Sequence, residues 1–123
     1  MAISQPVLIA GIFIALVVAG YFLLANAPGK YDSFAQCLSD KGVKMYGAFW
    51  CPHCKDQKEM FGSSWKYVDY VECSTPDGSA QLQVCTDAGI KGYPTWDIGG
   101  TKKDGVLTLG ELSQETGCPL NVS

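Results

Sequence analysis

Cys51 and Cys54 stand in the run Phe49-Trp50-Cys51-Pro52-His53-Cys54. Two cysteines at this spacing close into a small disulfide or open to a dithiol, so the chemistry on offer is thiol–disulfide exchange. They follow an apolar, strand-like run, Met45-Tyr46-Gly47-Ala48-Phe49, and they open a helix-like one. Cys51 therefore falls just ahead of a helix, near unsatisfied N–H groups and the positive end of the helix dipole. Both favour a thiolate over a thiol, and Cys51 is the expected nucleophile. Cys54 falls in the first turn, expected to be the more buried of the two, where it can resolve a mixed disulfide by attacking Cys51. His53, the single histidine of the chain, sits between them and can offer a hydrogen bond or a positive charge to a sulfur. Its plainer reading is an exposed turn residue. Pro52 restricts the loop and removes one N–H.

Two plainer readings of the pair stand beside this one. An inert structural disulfide would restrain little chain at this spacing and so stabilise little. A zinc half-site would need two further ligands, with His53 and Cys73 as candidates, and the chain has no second closely spaced cysteine pair. Further along, Gly92-Tyr93-Pro94-Thr95 supplies a second element for a redox site. Spacing alone leaves Pro94 either an ordinary loop proline or a cis one. Trp50 and Tyr93 are candidates to frame a substrate groove, whereas Trp96 reads as core.

The elements that must position these residues can be read from periodicity and from stop signals. Asp32 and Ser33 are N-cap candidates for a helix through Lys41, with Phe34, Cys37, Leu38 and Lys41 at helical spacing and Gly42 as the stop. Val43 to Phe49 is a buried strand, and Pro52 suits the first turn of a helix running to Phe61. Tyr67 to Cys73 is a second strand, rich in β-branched and aromatic residues. A loop with Pro76 and Asp77-Gly78 leads to a short helix, Ala80 to Ala88. Thr95 to Ile98 and a stretch between Thr101 and Leu107 form strands around Gly99-Gly100. Thr108 and Glu111 make a capping box for a last helix through Thr116. The order αβαβαββα implies an α/β fold with a mixed sheet covered on both faces.

The chain has 123 residues, six cysteines and a net charge of −3. That is one small domain, whose marginal core structural disulfides would help. No basic patch exists, which argues against a nucleic-acid partner. Residues 1–29 carry no charged side chain, and Pro6 to Ala25 matches a bilayer core in length. The expected division is a membrane anchor and linker over 1–29 and a folded domain over 30–123. Ala25-Asn26-Ala27 fits the small-x-small pattern of a cleaved signal peptide, but the apolar stretch exceeds the roughly 7–15 residues usual there. Pro28 would follow the cut directly, a further argument for an uncleaved, single-pass anchor. Lys30 after the segment weakly favours a cytoplasmic C-terminus, offset by Asp32. Six cysteines argue instead for an oxidising, extracytoplasmic compartment.

Lys44 to Cys54, with Tyr70-Val71-Glu72-Cys73 and Gly89 to Trp96, resembles the thioredoxin-like domain often fused to bacterial vitamin K epoxide reductase homologues. The resemblance covers most of Tyr31 to Gly117. It implies a thioredoxin-like fold with a four-stranded mixed sheet, a redox pair at Cys51 and Cys54, and a cis-proline at Pro94 beside them. It implies that the backbone at Tyr93 pairs with substrate and that Cys73 and Cys85 form a second disulfide. Here the expectation is a separate domain with its own anchor, reoxidised by a membrane vitamin K epoxide reductase homologue that uses a quinone. No cofactor of its own is implied. The Pro52-His53 dipeptide resembles that of periplasmic disulfide-forming oxidases. One departure is clear: thioredoxins carry a buried acid six residues before the first cysteine, and Met45 stands there. No proton acceptor for Cys54 is then evident, Asp56 and Glu59 reading as a solvated helix face. The sheet also lacks the first strand of a full thioredoxin.

Cys37 and Cys118 stay open. Cys37 reads as a buried free cysteine on the first helix of the domain. Thioredoxin topology would put that helix and the last one on opposite sheet faces, so that a bond needs the tail to wrap round. An intermolecular bond through Cys118 is a further option. The functional expectation is an extracytoplasmic thiol–disulfide oxidoreductase forming disulfides in cysteine-containing proteins. A reductase or isomerase with the same site, and a non-catalytic binding or metal-handling module, are the alternatives.

Overall fold

The computed structural model describes residues 4–25 and 27–121. The order is α1 (Gln5–Ala25), α2 (Asp32–Asp40), β1 (Lys44–Gly47), α3 (Pro52–Phe61), a 3-10 helix (Gly62–Tyr67), β2 (Asp69–Glu72), α4 (Gln83–Asp87), β3 (Thr95–Ile98), β4 (Thr101–Asp104) and α5 (Leu109–Thr116). Helix α1 stands exposed and is long and apolar enough to cross a membrane. The Asn26 of the small-x-small pattern lies outside the described residues.

The sheet runs β2-β1-β3-β4. β1 pairs parallel with β2, from Lys44 opposite Asp69 to Gly47 opposite Glu72, and antiparallel with β3, Met45 opposite Trp96. Gly99 and Gly100, both at positive φ, close the β3–β4 hairpin, a backbone that side chains with a Cβ resist. Alternation along β1 separates two cores. Met45 joins Phe34, Leu38, Phe61, Trp96 and Leu112 on one face, while Tyr46 joins Cys73, Cys85 and Ile90 on the other. Phe61 stacks on Phe34 at 6.1 Å between ring centroids and lies 6.2 Å from Trp96, so α2, α3 and β3 share one aromatic contact.

Several expectations change in detail. Tyr31, not Asp32 or Ser33, is the N-cap of α2, and the Asp32 carboxylate instead accepts from the Gly29 N–H. Tyr67 belongs to the 3-10 helix, which the strand propensity of its neighbours conceals. Helix α4 is shorter than its sequence pattern, because Ser74 and Gln81 form an isolated bridge and Leu82 N–H bonds the Cys73 carbonyl. The capping box at Thr108 and Glu111 forms as expected. The segment after α1 is held at several points: Gly29 is buried beside the Ser64 hydroxyl, Tyr31 N–H bonds Ser64 Oγ at 2.8 Å, and Lys66 Nζ reaches the Ala27 carbonyl.

The largest correction concerns α2 and α5. Leu38 and Leu112 lie in the same core, so both helices cover the Met45 face and only α4 covers the other. Their C-terminal ends meet, with Lys41 Nζ donating to the Thr116 carbonyl at 2.7 Å. Cys37 and Cys118 are therefore neighbours and form a disulfide, without the tail crossing the sheet. The bond closes a sequence separation of 81 residues. A loop of that size removes much freedom from the unfolded chain, so the double variant Cys37→Ser/Cys118→Ser should lose about 4 kcal/mol. The check is the denaturant midpoint of the variant against that of the parent protein.

Candidate active site

Cys51 caps α3 with its sulfur. Its backbone is extended, φ −78° and ψ 119°, and Cys54 N–H donates to Cys51 Sγ at 3.4 Å, the place a serine or threonine oxygen takes at an ordinary N-cap. Pro52 occupies the first helical position, where its missing N–H leaves nothing unpaired. Both cysteines are free thiols, while Cys37–Cys118 and Cys73–Cys85 are disulfides. Cys73 is thus committed to Cys85 and is not available as a zinc ligand. Among the described residues no three His, Cys, Asp or Glu side chains converge as a metal site.

The two cysteines are equally buried, each residue 5% exposed, although Cys54 was expected to be the deeper. The loop before β3 covers Cys51: its Sγ lies 3.7 Å from the Tyr93 carbonyl. The Tyr93–Pro94 peptide bond is cis, and Pro94 is fully buried. That loop is pinned from both sides. The Thr95 hydroxyl lies 2.7 Å from the Gly92 carbonyl and 3.0 Å from Asp104 Oδ1, and Gly105 N–H donates to the Pro94 carbonyl. Tyr93 donates its hydroxyl to Gln81 Oε1 at 2.6 Å. Trp50, 48% exposed, packs edge-on against Tyr93 at 5.9 Å and donates its indole N–H to Ser74 Oγ. Trp50, Tyr93 and Pro94 are thereby gathered around the sulfurs, whereas Trp96 is core. His53 and Pro52 are exposed on the first turn of α3, and His53 hydrogen-bonds neither sulfur among the described residues.

Two polar positions that build the surroundings of the site escape a reading by residue type. Gln57, one turn beyond Cys54, is fully buried on α3. Its Oε1 accepts from Trp96 Nε1 at 3.0 Å and from Leu107 N at 2.8 Å, and its Nε2 donates to the Leu107 carbonyl at 2.8 Å. A glutamine between Asp56 and Lys58 looks like surface, and nothing local distinguishes it. The second is Glu72. Its Oε2 accepts from Phe49 N at 3.2 Å and Ser74 N at 3.0 Å, and its Oε1 from the Tyr70 hydroxyl at 3.1 Å. Strand alternation could have found it, since Tyr70 and Glu72 share the face that Gly47 presents to α3.

Gly47 lets the sulfur come close. A Cβ there would stand 2.9 Å from both Cys54 Sγ and the Tyr70 ring. Beside this contact lies a cavity of about 280 Å³ lined by Ala48, Phe49, Cys54, Trp65, Tyr70 and Glu72, with Lys55 and Lys58. Burial pushes the Cys54 thiol up from 9.0 to about 12, with smaller upward contributions from Cys51 and the Glu72 charge. Burial, then Glu72, raises Tyr70 as well, and burial raises Tyr93.

A four-stranded mixed sheet, a Cys-x-x-Cys pair capping the helix after β1, and a cis-proline entering β3 define a thioredoxin-like fold. None of the protein-family models matches the chain. The chain is similar to the thiol-disulfide oxidoreductase LTO1 of Arabidopsis thaliana, 47% identical over 94 residues. The match takes in 72% of this chain and 25% of that protein, so the chain spans about a quarter of the length of the curated relative.

Two outcomes follow from the packing around Cys54. Gly47→Ala forces its sulfur and the Tyr70 ring apart and should lower stability by about 1–3 kcal/mol, read as a denaturant midpoint. Cys54 is a thiol in the folded protein up to about pH 12 but ionises near 9.0 when unfolded. Its contribution to stability is therefore complete below pH 9 and is lost as pH rises toward 12. Melting temperatures of the dithiol and disulfide forms should diverge across that window, the dithiol form falling faster.

Proposed function

We propose that this protein is a thiol–disulfide oxidoreductase that forms disulfides in cysteine-containing proteins through Cys51 and Cys54. The observation that carries the reading is the placement of the two free thiols. Cys51 caps α3 under the Tyr93 carbonyl and its sulfur accepts from the Cys54 backbone N–H in the first turn, while the remaining four cysteines are paired. The similarity to a protein named as a thiol-disulfide oxidoreductase supports it.

In the proposed reaction a substrate thiolate attacks Cys51 Sγ. The Cys51–Cys54 bond breaks, and its electron pair leaves on Cys54 Sγ, which takes up a proton. A second substrate thiolate then attacks the substrate sulfur held on Cys51. A substrate disulfide forms, Cys51 leaves as a thiolate, and two electrons have passed from substrate to protein. The Tyr93 carbonyl beside Cys51 is placed to accept a backbone N–H of an extended substrate, with Trp50 and Tyr93 flanking it. Pro94 packs beside the pair, and exposed His53 supports a charged sulfur at Cys51. A membrane quinone-linked partner, a vitamin K epoxide reductase homologue, would restore the disulfide.

Residues 1–29 would anchor the domain formed by 30–123, with the domain on the extracytoplasmic side. The apolar α1 supports the anchor. The disulfides Cys37–Cys118 and Cys73–Cys85 support the compartment, because such bonds persist where the environment is oxidising.

The test uses the full chain in detergent. Its reduction potential against glutathione should lie near the roughly −120 mV of a strong oxidant, and a value near the roughly −270 mV of thioredoxin would favour the reductase instead. The oxidised chain should transfer one disulfide to a reduced, unfolded protein, and Cys51→Ser should abolish the transfer.

A further inference from the structure

We propose that Glu72, held by Tyr70, keeps the proton on Cys54 and so commits the substrate mixed disulfide on Cys51 to go forward. This inference rests on the oxidase reading above and assigns to Glu72 a positioning role within it.

The argument begins with what surrounds the Cys54 sulfur. The cavity beside it is lined by Cys54, Tyr70 and Glu72, and Glu72 is its one carboxylate among the described residues. Cys54 and the Tyr70 ring both crowd the space above Gly47, and the Tyr70 hydroxyl donates to Glu72. Two backbone N–H groups fix the other carboxylate oxygen, those of Phe49 and Ser74. The negative charge thus has a defined position on the wall of the cavity that Cys54 faces. The titratable and charged groups around Cys54 are Cys51 from the same helix, Tyr70 and Glu72 from β2, and Tyr93 from the loop before β3. Lys55 and Lys58 also line the cavity, both with exposed side chains.

A fixed anion beside a buried sulfur disfavours the thiolate, in the same direction as burial. The consequence falls on one branch of the reaction. When substrate attacks Cys51, the electron pair of the broken bond leaves on Cys54 Sγ, which takes a proton from water. The mixed disulfide then has two fates. A second substrate thiolate attacks the substrate sulfur, forms the substrate disulfide and expels Cys51 as a thiolate. Alternatively Cys54 loses its proton, attacks Cys51, restores the Cys51–Cys54 bond and expels the first substrate thiolate. Only the return needs a Cys54 thiolate. Burial and the Glu72 charge both raise the Cys54 thiol, so its thiolate is scarce at neutral pH and the return slows, the greater nucleophilicity of a more basic thiolate recovering part of the loss. Burial supplies the largest share; the Glu72 charge supplies a smaller one, which a substitution can remove.

Glu72→Gln removes the charge and keeps the shape. Its amide oxygen can accept from Phe49 and Ser74 N–H, and its amide nitrogen can donate to the Tyr70 oxygen. The experiment places Glu72→Gln in the full chain carrying Cys51→Ser, where Cys54 is the one unpaired thiol, and follows iodoacetamide alkylation against pH. The midpoint should move down, and neutral-pH alkylation should rise with it. Glu72→Asp can keep the Ser74 bond as a local turn and draws the charge back along β2, so it should shift the midpoint the same way by less. With Cys51 restored, the fraction of mixed disulfides that proceed to an oxidised dithiol peptide should fall in Glu72→Gln. An unchanged alkylation midpoint in whichever of the two variants folds would overturn the proposal. If Cys51 and Cys54 prove to have no reversible redox transition, the oxidase reading falls while the alkylation profile still reports the hold of Glu72 on Cys54.

Discussion

The site depends on the register between α3 and β3, and one buried amide holds it. Helix α3 carries both sulfurs and β3 begins at the loop that covers them, yet the two elements are far apart in sequence. Gln57 joins them. It binds the Trp96 indole on β3 and both backbone groups of Leu107, so that the helix cannot slide along the sheet without leaving buried polar groups unpaired. Each such orphan would cost about 1–3 kcal/mol, comparable to a large share of the stability of a small domain. The Phe61 ring against Trp96 and Phe34 fixes the other end of the same helix through shape, with no directional bond. The amide sets the register and the rings fill the space. Together they bring Cys51 Sγ under the Tyr93 carbonyl.

The two sulfurs share a burial but not an environment. Cys51 sits at the head of a helix, taking an N–H from Cys54 and facing the Tyr93 carbonyl. Cys54 faces a cavity with a phenol and a carboxylate in its wall. Helix geometry provides the first environment and strand β2 the second. The difference leaves an otherwise symmetrical dithiol with two unlike sulfurs: one at a helix head, the other buried with its thiol pushed up.

Much of this was legible in the sequence where the signal was local. The cysteine pair, Pro52 at the head of α3, the Gly99-Gly100 hairpin and the Thr108–Glu111 capping box are set by neighbours a few residues away, and each forms where the pattern places it. The disulfide between Cys73 and Cys85 followed from resemblance and is present. What escaped depends on contacts between distant segments. Gln57 looks like any polar residue of a surface helix until Trp96 and Leu107 arrive beside it. Glu72 looks like the polar half of an alternating strand, although its face is the one turned toward α3. Cys37 and Cys118 stayed open because the topology expected for a thioredoxin puts α2 and α5 on opposite faces. Here Leu38 and Leu112 share a core, and the pairing follows from that.

The three sulfur pairs are nested along the chain and never interleave. The pair at 37 and 118 encloses both the pair at 73 and 85 and the pair at 51 and 54, and these two lie side by side within it. Drawn as arcs, no line crosses another. Closing any one of them therefore threads no segment through a ring already formed, and the outer link can close before or after the inner ones. Cys73, Cys85 and Cys118 of the two fixed links are fully buried. The free pair at 51 and 54 thus lies inside a covalent frame that its own closure would not tangle.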